Sequence, residues 1–371
     1  MKHQETNKMN NDVIIREATE KDIPKIVELY ETESNLPVNQ DVLEWVYFNR
    51  KEYGTCLVIA EKNGRIIGSQ GLIPIRMIGN KRVFLSAKSE STLISKQYRG
   101  QGIFEEMYSK IFEIAAQRGI IIIWGFTKAT KAFVKLDFTL PVRLSLGYIS
   151  LDITKSFKFF LEKLKKYHGN TSYLVALPLM IYLLIKRLHL SAWLIYSGMK
   201  YHSHSKKVRE LSKADSEFNE LLSMMNGQHQ KNRVITINKD MSYMNWRIFD
   251  NPFIDYKISM YSDNEAKGFI IYYVRNGILV ITDYYCTLDR VFPMLLSRAL
   301  RHGLISKCWC VRFFDKESKE NQKYRKYFKF YSYMQFKNMI PMVLKTIGDS
   351  LVGGEQEIEK WFITEIFTQG I

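Results

Sequence analysis

The sequence predicts an α/β (α+β) protein in which helices flank a mixed sheet. Strand-like runs at 55–60, 66–73 and 83–94 lead into a glycine-containing turn and an amphipathic helix. The next run, Ile120–Trp124, is five consecutive apolar residues, which is typical of a strand buried on both faces and paired in parallel. A similar order of elements starts again near residue 233, so we expect two halves in tandem.

Composition and charge narrow the class of protein. The chain has 371 residues, 46% of them hydrophobic, which suffices for the cores of about two domains and excludes wholesale disorder. We interpret the four cysteines as core residues in a reducing compartment, because their spacing fits no disulfide framework. With 54 Lys and Arg against 38 Asp and Glu, the net charge is +16. That charge favours an anionic partner, either nucleic acid, a membrane face or a phosphorylated substrate, over a merely basic surface.

The first half begins after a polar tail. Residues 1–12 contain no apolar run, so they predict a tail rather than a signal peptide. A short strand at 13–16 precedes a helix that opens at Thr19, where Asp22 three residues later resembles a capping box. We expect the first domain to cover residues 13–150.

The turn Gln97-x-x-Gly100-x-Gly102 is the most informative segment, because a strand enters it and a helix leaves it. The first N–H groups of a helix lack intrahelical partners, the helix dipole adds partial positive charge there, and glycines leave room for an anion. The pattern therefore predicts a diphosphate site, with Lys96 and Arg99 adding positive charge. Its spacing differs from that of a P-loop and from that of the dinucleotide motif Gly-x-Gly-x-x-Gly.

Residues 151–235 predict a helical connecting region that is both apolar and basic. Two explanations fit its apolar stretch, 172–199. One is a helix at the surface of an anionic membrane, and the other is helices packed between the two halves. The polar stretch from Lys206 to Asn232 has a helical tendency.

Residues 236–371 repeat features of the first half. Both halves carry Trp-x-x-Phe followed by Asn or Asp, starting at Trp45 and at Trp246. Three strand-like runs follow at 256–261, 268–274 and 278–285. We interpret the second half as a diverged internal duplication, the alternative being a chance similarity around one tryptophan.

The segment Gln-Tyr-Arg-Gly-Gln-Gly-Ile-Phe, between its strand and its helix, resembles the acyl-CoA-binding motif of the GCN5-related N-acetyltransferase (GNAT) superfamily. The resemblance implies the GNAT fold, an N-acyltransferase activity, and acetyl-CoA or another acyl-CoA as co-substrate, with no metal. It also implies that the amides of residues 99–104 hold the CoA pyrophosphate and that the strand end pairs with pantetheine. The predicted CoA-binding residues are Leu93, Ile94, Gln97, Tyr98, Arg99, Gly100, Gln101, Gly102, Ile103, Phe104, Lys131 and Phe133.

The catalytic prediction rests on the strand that leads into the motif. Acyl transfer to an amine needs a base, and Glu90 is the candidate, acting directly or through a water that Ser91 and Thr92 position. The alternatives are an ion-paired carboxylate and ordinary strand hydroxyls. The family usually supplies a tyrosine acid in the pattern Tyr-x-x-x-Gly-Phe, but here Phe133 and Asp137 replace its Tyr and Gly.

A fuller pattern consists of Trp-x-x-Phe, the Pro-containing strand Leu72-Ile73-Pro74, Gly-Ile-Phe at the end of the glycine turn, and a similar second half. It resembles the tandem acyltransferases of bacterial surface-polysaccharide clusters. That resemblance implies an amino sugar as the amine acceptor and a cytoplasmic protein, with contact at the inner membrane face left open. The second half has Tyr285 to Arg290 where the first has its glycine turn, so we expect it to shape the acceptor site or to stabilise the fold. Nucleic acid is not the expected partner. Two alternatives remain, namely a tandem aminoacyl transferase that uses charged tRNA, and a CoA-binding module without turnover.

Overall fold

The sheet and its covering helices follow the apolar periodicity of the sequence. A computed structural model describes residues 12–34, 38–168, 175–264, 267–315, 319–330, 334–348 and 360–367. Most of the predicted tail, 1–12, lies outside the described residues. The mixed sheet and the flanking helices confirm the predicted fold class.

Within these residues the chain forms thirteen strands and eleven α-helices. The strands are β1 Val13–Glu17, β2 Leu57–Lys62, β3 Arg65–Gly79, β4 Arg82–Ile94, β5 Ile122–Phe126, β6 Arg143–Ser150, β7 Val208–Leu211, β8 Thr236–Ile237, β9 Lys257–Ser262, β10 Lys267–Arg275, β11 Ile278–Cys286, β12 Cys310–Asp315 and β13 Met334–Thr346. The helices are α1 Ile23–Glu33, α2 Gln40–Leu43, α3 Ile103–Gln117, α4 Thr130–Val134, α5 Ile153–His168, α6 Ala176–Lys200, α7 His202–Ser205, α8 Ser216–Lys231, α9 Met241–Met244, α10 Phe292–Ile305 and α11 Lys319–Phe330.

The strands form one sheet whose order is β1-β2-β3-β4-β5-β13-β6-β12-β11-β10-β9-β7, with β8 paired to β3. Among the described residues, every strand pair is antiparallel except β4 with β5 and β11 with β12. Each parallel pair is connected through a helix, α3 in the first half and α10 in the second. The pattern of pairing is therefore the same when it is followed inward from either edge.

The two central strands of the sheet are exchanged between the two halves of the sequence. The last strand of the first half, β6, lies between β13 and β12, whereas β13 lies between β5 and β6. The second part of β13 pairs with β5, from Met342 opposite Phe126 to Thr346 opposite Ile122. Each half of the sheet is therefore completed by a strand from the other half of the sequence.

The two Trp-x-x-Phe motifs contact each other through their tryptophans. Each motif lies in a single turn of π-helix, Glu44–Phe48 in one half and Asn245–Phe249 in the other. The rings of Trp45 and Trp246 stack with their centroids 5.2 Å apart and their planes 28° from parallel. Stacked aromatic rings stabilise a contact by about 0.5–1.5 kcal/mol beyond the area that they bury. This contact joins the two halves.

One segment differs from its predicted structure. The sequence indicated helical structure from Lys206 onwards, but β7 occupies Val208–Leu211 and pairs with β9 before α8 begins. Arg209 on this strand makes ion pairs with Asp215 and Glu217. A short, charged edge strand gives no alternating apolar signal, which explains the error.

Candidate active site

The glycine turn leaves the start of α3 open. Gly100 and Gly102 adopt φ angles of +77° and +83°, the left-handed region that side chains rarely enter, and an added Cβ at either would meet nothing within 4 Å. Glu33, at the end of α1, fixes the approach to the turn: its carboxylate accepts the Ser95 hydroxyl at 2.6 Å and the Lys96 N–H at 3.0 Å. The first amides of α3 therefore face unobstructed space.

Beside the turn, β4 separates from β5. The parallel register between these strands ends at Lys88 and Trp124, whereas β4 stays paired with β3 as far as Ile94. The residues of β4 that follow Lys88 therefore have one edge without β5. An extended ligand can hydrogen-bond to such an edge as an added strand does.

The turn and the separated strands border one cavity of about 730 Å³. It is lined by Ser89, Glu90, Ser91, Thr92, Leu93, Ile94, Tyr98, Arg99, Gly100, Gly102, Ile103, Phe104, Glu105, Gly125, Phe126, Thr127, Ala129, Lys131, Ala132, Phe133, Lys135 and Val343. Of the residues singled out around this site in the sequence, Lys96, Gln97 and Gln101 are not in this lining. The side-chain amide of Gln101 donates to the backbone carbonyl of Gln97 at 3.0 Å, so the Gln101 side chain braces the turn.

The sequence analysis missed part of this lining. Gly125 and Phe126 end β5, and Thr127 follows it. The carboxyl ends of neighbouring parallel strands share an edge of the sheet, so the position of these residues next to Glu90 was predictable. Val343 comes from β13, more than two hundred residues along the chain, and no local pattern indicates it.

Glu90 forms an ion pair at the back of the cavity. Its carboxylate lies 2.5 Å from the ammonium of Lys88, whose side chain is almost fully buried. Burial lowers the pKa of Lys88, and the neighbouring Glu90 carboxylate partly opposes that shift. The two side chains share a face because residues two apart in a strand point the same way. Glu90 is thus both paired and part of the cavity wall.

Ser91 marks a distortion of β4. Its φ is +58°, and the register between β3 and β4 shifts between Ser69 and Gly71. The Tyr47 hydroxyl donates to the Ser91 Oγ at 2.8 Å, and the Ser69 hydroxyl donates to the Ser91 carbonyl at 3.0 Å. An added Cβ on Gly71 would lie 2.2 Å from the Tyr47 hydroxyl oxygen, so this glycine makes room for the tyrosine. Together these contacts hold the strained residue beside Glu90.

The hydroxyl of Thr92 is also engaged by the protein. It donates to the side-chain carbonyl of Gln70, and the Gln70 amide in turn donates to the Ser89 hydroxyl at 3.2 Å. The chain of hydrogen bonds continues to the buried Tyr108, whose hydroxyl lies 2.7 Å from that of Ser89. Ser91 and Thr92 therefore fix the geometry of β4 at the cavity.

The position of the usual tyrosine acid carries no hydroxyl. Phe133 on α4 is buried and packs edge-to-face against Phe104 and Tyr108, with ring centroids 5.6 and 5.5 Å apart. Asp137, which stands where the family pattern has glycine, takes φ +60°, a conformation that Asp tolerates better than most residues. Burial raises the pKa of Tyr108 far above that of a thiol, so this tyrosine is a poor proton donor to a departing thiolate.

The turn after β11 is built differently. No glycine occurs from Tyr285 to Arg290, and α10 begins with Phe292 and Pro293. The Cys286 N–H donates to the Tyr324 hydroxyl at 3.1 Å, and the ring of Tyr324 packs against that of Phe292 with centroids 4.8 Å apart. Aromatic side chains therefore fill the space behind this turn.

The open helix N-terminus and the β4 edge without β5 border one cavity, and a family model matches the part of the chain that contains both. The family model described as "Acetyltransferase (GNAT) domain" matches residues 14–140. The chain thus carries a GNAT domain and is an acetyltransferase of this type, for which an acyl-CoA co-substrate is implied. No curated protein sequence matches the chain.

Solved structures share the fold over most of the chain. A GCN5-related N-acetyltransferase from Kribbella flavida has a TM-score of 0.60 at 11% identity, covering 90% of this chain and 71% of its own. A probable N-acyltransferase from Enterococcus faecalis has a TM-score of 0.60 at 8% identity, covering 90% and 73%. A GCN5-related N-acetyltransferase from Anabaena variabilis has a TM-score of 0.56 at 9% identity, covering 91% and 73%. At these identities the likeness concerns the fold alone.

Proposed function

We propose that the cavity beside the glycine turn binds acetyl-CoA, or another acyl-CoA, and that the protein transfers the acyl group to a primary amine. The observation that carries this proposal is the junction of two features in one cavity. These are an unobstructed helix N-terminus at Gly100 and Gly102, and a β4 edge without a partner strand after Lys88. The first suits a diphosphate, and the second suits an extended amide chain.

In this proposal the backbone amides from Arg99 to Phe104 hold the CoA pyrophosphate, and the guanidinium of Arg99 adds charge beside it. The backbone of Leu93 and Ile94 pairs with the pantetheine amides. Lys131 on α4 supports a CoA phosphate, and Phe133 packs against the arm. All of these residues except Gln101 line the cavity, which supports the assignment.

Glu90 is the proposed base. It accepts a proton from the acceptor ammonium, directly or through a water, and the neutral amine can then attack the thioester carbonyl carbon. Backbone N–H groups at the separated end of β4 stabilise the negative charge on the carbonyl oxygen. The nitrogen then loses its second proton to water, the C–S bond breaks, and CoA leaves as a thiolate, which takes its proton from solvent because Phe133 has none to give. Lys88 orients the carboxylate through their ion pair.

We further propose that the chain is an internal duplication whose second copy has lost CoA binding and shapes the acceptor site. Three observations support it: the strand order mirrored about β6 and β13, the matching parallel pairs, and the two stacked tryptophans in equivalent π-turns. The predicted division was 13–150, 151–235 and 236–371. That division stays a prediction, and the pairing of β7 with β9 supports our proposal that the second copy starts at Val208.

An amino sugar of bacterial surface polysaccharide is the proposed acceptor, and the cytoplasm, where acyl-CoA is available, is the proposed location. The test combines acetyl-CoA with a panel of amines that includes nucleotide-linked amino sugars, and it measures thiol release together with the melting temperature. We expect a raised melting temperature with acetyl-CoA alone and thiol release with at least one amino sugar. Glu90→Gln should keep the first effect and lose the second.

Other outcomes would overturn parts of this proposal. No melting shift at millimolar acetyl-CoA would refute the binding site. A shift without thiol release for any amine would favour the CoA-binding module, an alternative that Phe133 keeps open. A low-salt gel shift with tRNA, combined with no effect of acetyl-CoA, would favour the aminoacyl transferase.

A further inference from the structure

Helix α6 exposes a continuous apolar stripe along its length. Seven large apolar side chains on one face are between 45 and 71% exposed. They are Leu177, Ile181, Leu184, Ile185, Leu188, Ile195 and Met199. Their spacing of mostly three, four or seven residues places them on one side of the helix, and no charged residue interrupts that side. Exposed apolar surface of this extent marks a site of interaction.

The opposite face of α6 packs on the protein. Leu183, Leu190, Leu194 and Ser197 are buried there, and the Ser197 hydroxyl lies 2.8 Å from that of Ser297 on α10. With 25 residues and an 18-residue window of mean hydropathy 1.3, α6 is the one helix in the described part of the chain long and apolar enough to cross a bilayer. Because α10 packs along one side, a crossing would also take the charged domain into the hydrocarbon. The helix is therefore suited to lie along a surface.

The surroundings of the stripe are strongly basic. From Ile153 to Lys207 the sequence contains ten Lys and Arg and a single acidic residue, Glu162, so this stretch carries more than half of the net charge of +16. Exposed members include Lys155 and Lys158 on α5 and Lys200 at the end of α6. Two such surfaces brought together as a dimer would repel each other, whereas an anionic surface would be attracted.

We propose that α6 binds in the plane of an anionic lipid bilayer, with the apolar stripe at the level of the upper acyl chains and the basic residues of α5 and α6 at the headgroups. The two features act together, since the apolar residues supply the insertion and the positive charge supplies the attraction and its dependence on acidic lipid. The proposal does not depend on the proposed acyl transfer. If both hold, the cavity works at a membrane face.

Vesicle flotation of the full chain tests the proposal. Vesicles of phosphatidylcholine alone are compared with vesicles that contain about 30 mol% phosphatidylglycerol, whose anionic headgroups attract basic segments. We expect at least tenfold stronger partitioning to the acidic vesicles, weakened by salt. The combined variant L177S/I181S/L188S/I195S changes only exposed positions and should lose at least tenfold of that partitioning. The matched control I14S/I305S removes two exposed isoleucines outside the stripe and should bind as the unchanged chain does.

Four results would overturn the proposal. The first is no flotation with acidic vesicles, and the second is equal flotation of the stripe variant and the unchanged chain. The third is bound protein that resists extraction by high salt and carbonate, which would indicate a spanning helix. The fourth is a dimer that the stripe variant converts to a monomer without any lipid binding, which would assign the stripe to a second copy of the chain. Circular dichroism of each variant checks that the fold is retained.

Discussion

Replacing Gly102 with alanine separates backbone strain from ligand binding. At φ +83° an alanine costs roughly 1–2 kcal/mol of folding stability, and no protein atom lies within 4 Å of the added methyl group. Gly64, in the turn between β2 and β3, offers a matched control because its φ is +76° and its Cβ position is equally open. Both G102A and G64A should therefore lower the melting temperature by a similar amount.

Only the change at Gly102 should weaken CoA binding. Its methyl group would enter the cavity at the proposed diphosphate position and displace the anion from one or two amides. A hydrogen bond to a charged group contributes about 1.5–3 kcal/mol, and 1.4 kcal/mol is a factor of ten in Kd, so we expect a rise in Kd of about 10- to 100-fold. Titration calorimetry with CoA measures it. Equal Kd values for G102A and G64A would refute the placement of the diphosphate.

Three further changes have definite expected results. Glu90→Gln should lower kcat by about 10²–10⁴ and leave the KM for acetyl-CoA within about threefold, whereas a structural Glu90 would alter both or neither. Tyr47→Phe removes the hydrogen bond to Ser91 and should cost about 1 kcal/mol in chemical denaturation, an expectation that an unchanged midpoint would contradict. Burial lowers the pKa of His229 to about 3, against about 6.5 when unfolded, so stability should fall as the pH drops from 6.5 towards 3, by up to about 1.4 kcal/mol per unit. His229→Leu should flatten that slope, and an unchanged slope would assign it to other groups.

Local patterns explain which parts of the fold the sequence predicted. The run of strands before Gln97, the amphipathic α3 and the apolar β5 each bury one continuous set of side chains, so spacing alone indicates them. The glycine turn was equally visible, because a left-handed backbone leaves few choices besides glycine. The cavity residues next to the turn in the sequence were therefore indicated by the same local pattern.

Features that depend on distant partners were not predictable in the same way. The insertion of β13 beside β5 joins residues more than two hundred positions apart, and β7 is a strand because β9 offers it an edge. The ion pair of Lys88 with Glu90 was predictable in part from local sequence and depends in part on distant residues. Residues two apart in a strand share a face, so the pair could have been inferred, but the deep burial of Lys88 depends on the whole fold.

The interchange of β6 and β13 has a consequence for biosynthesis. When residues 14–140 have left the ribosome, β5 still lacks the neighbour that Met342–Thr346 will supply, so the nascent domain has an open, apolar edge for most of translation. Neither portion is a self-sufficient module that evolution could detach and fuse elsewhere without rebuilding its central strand. Premature termination anywhere before residue 346 should therefore yield aggregated material rather than a functioning fragment.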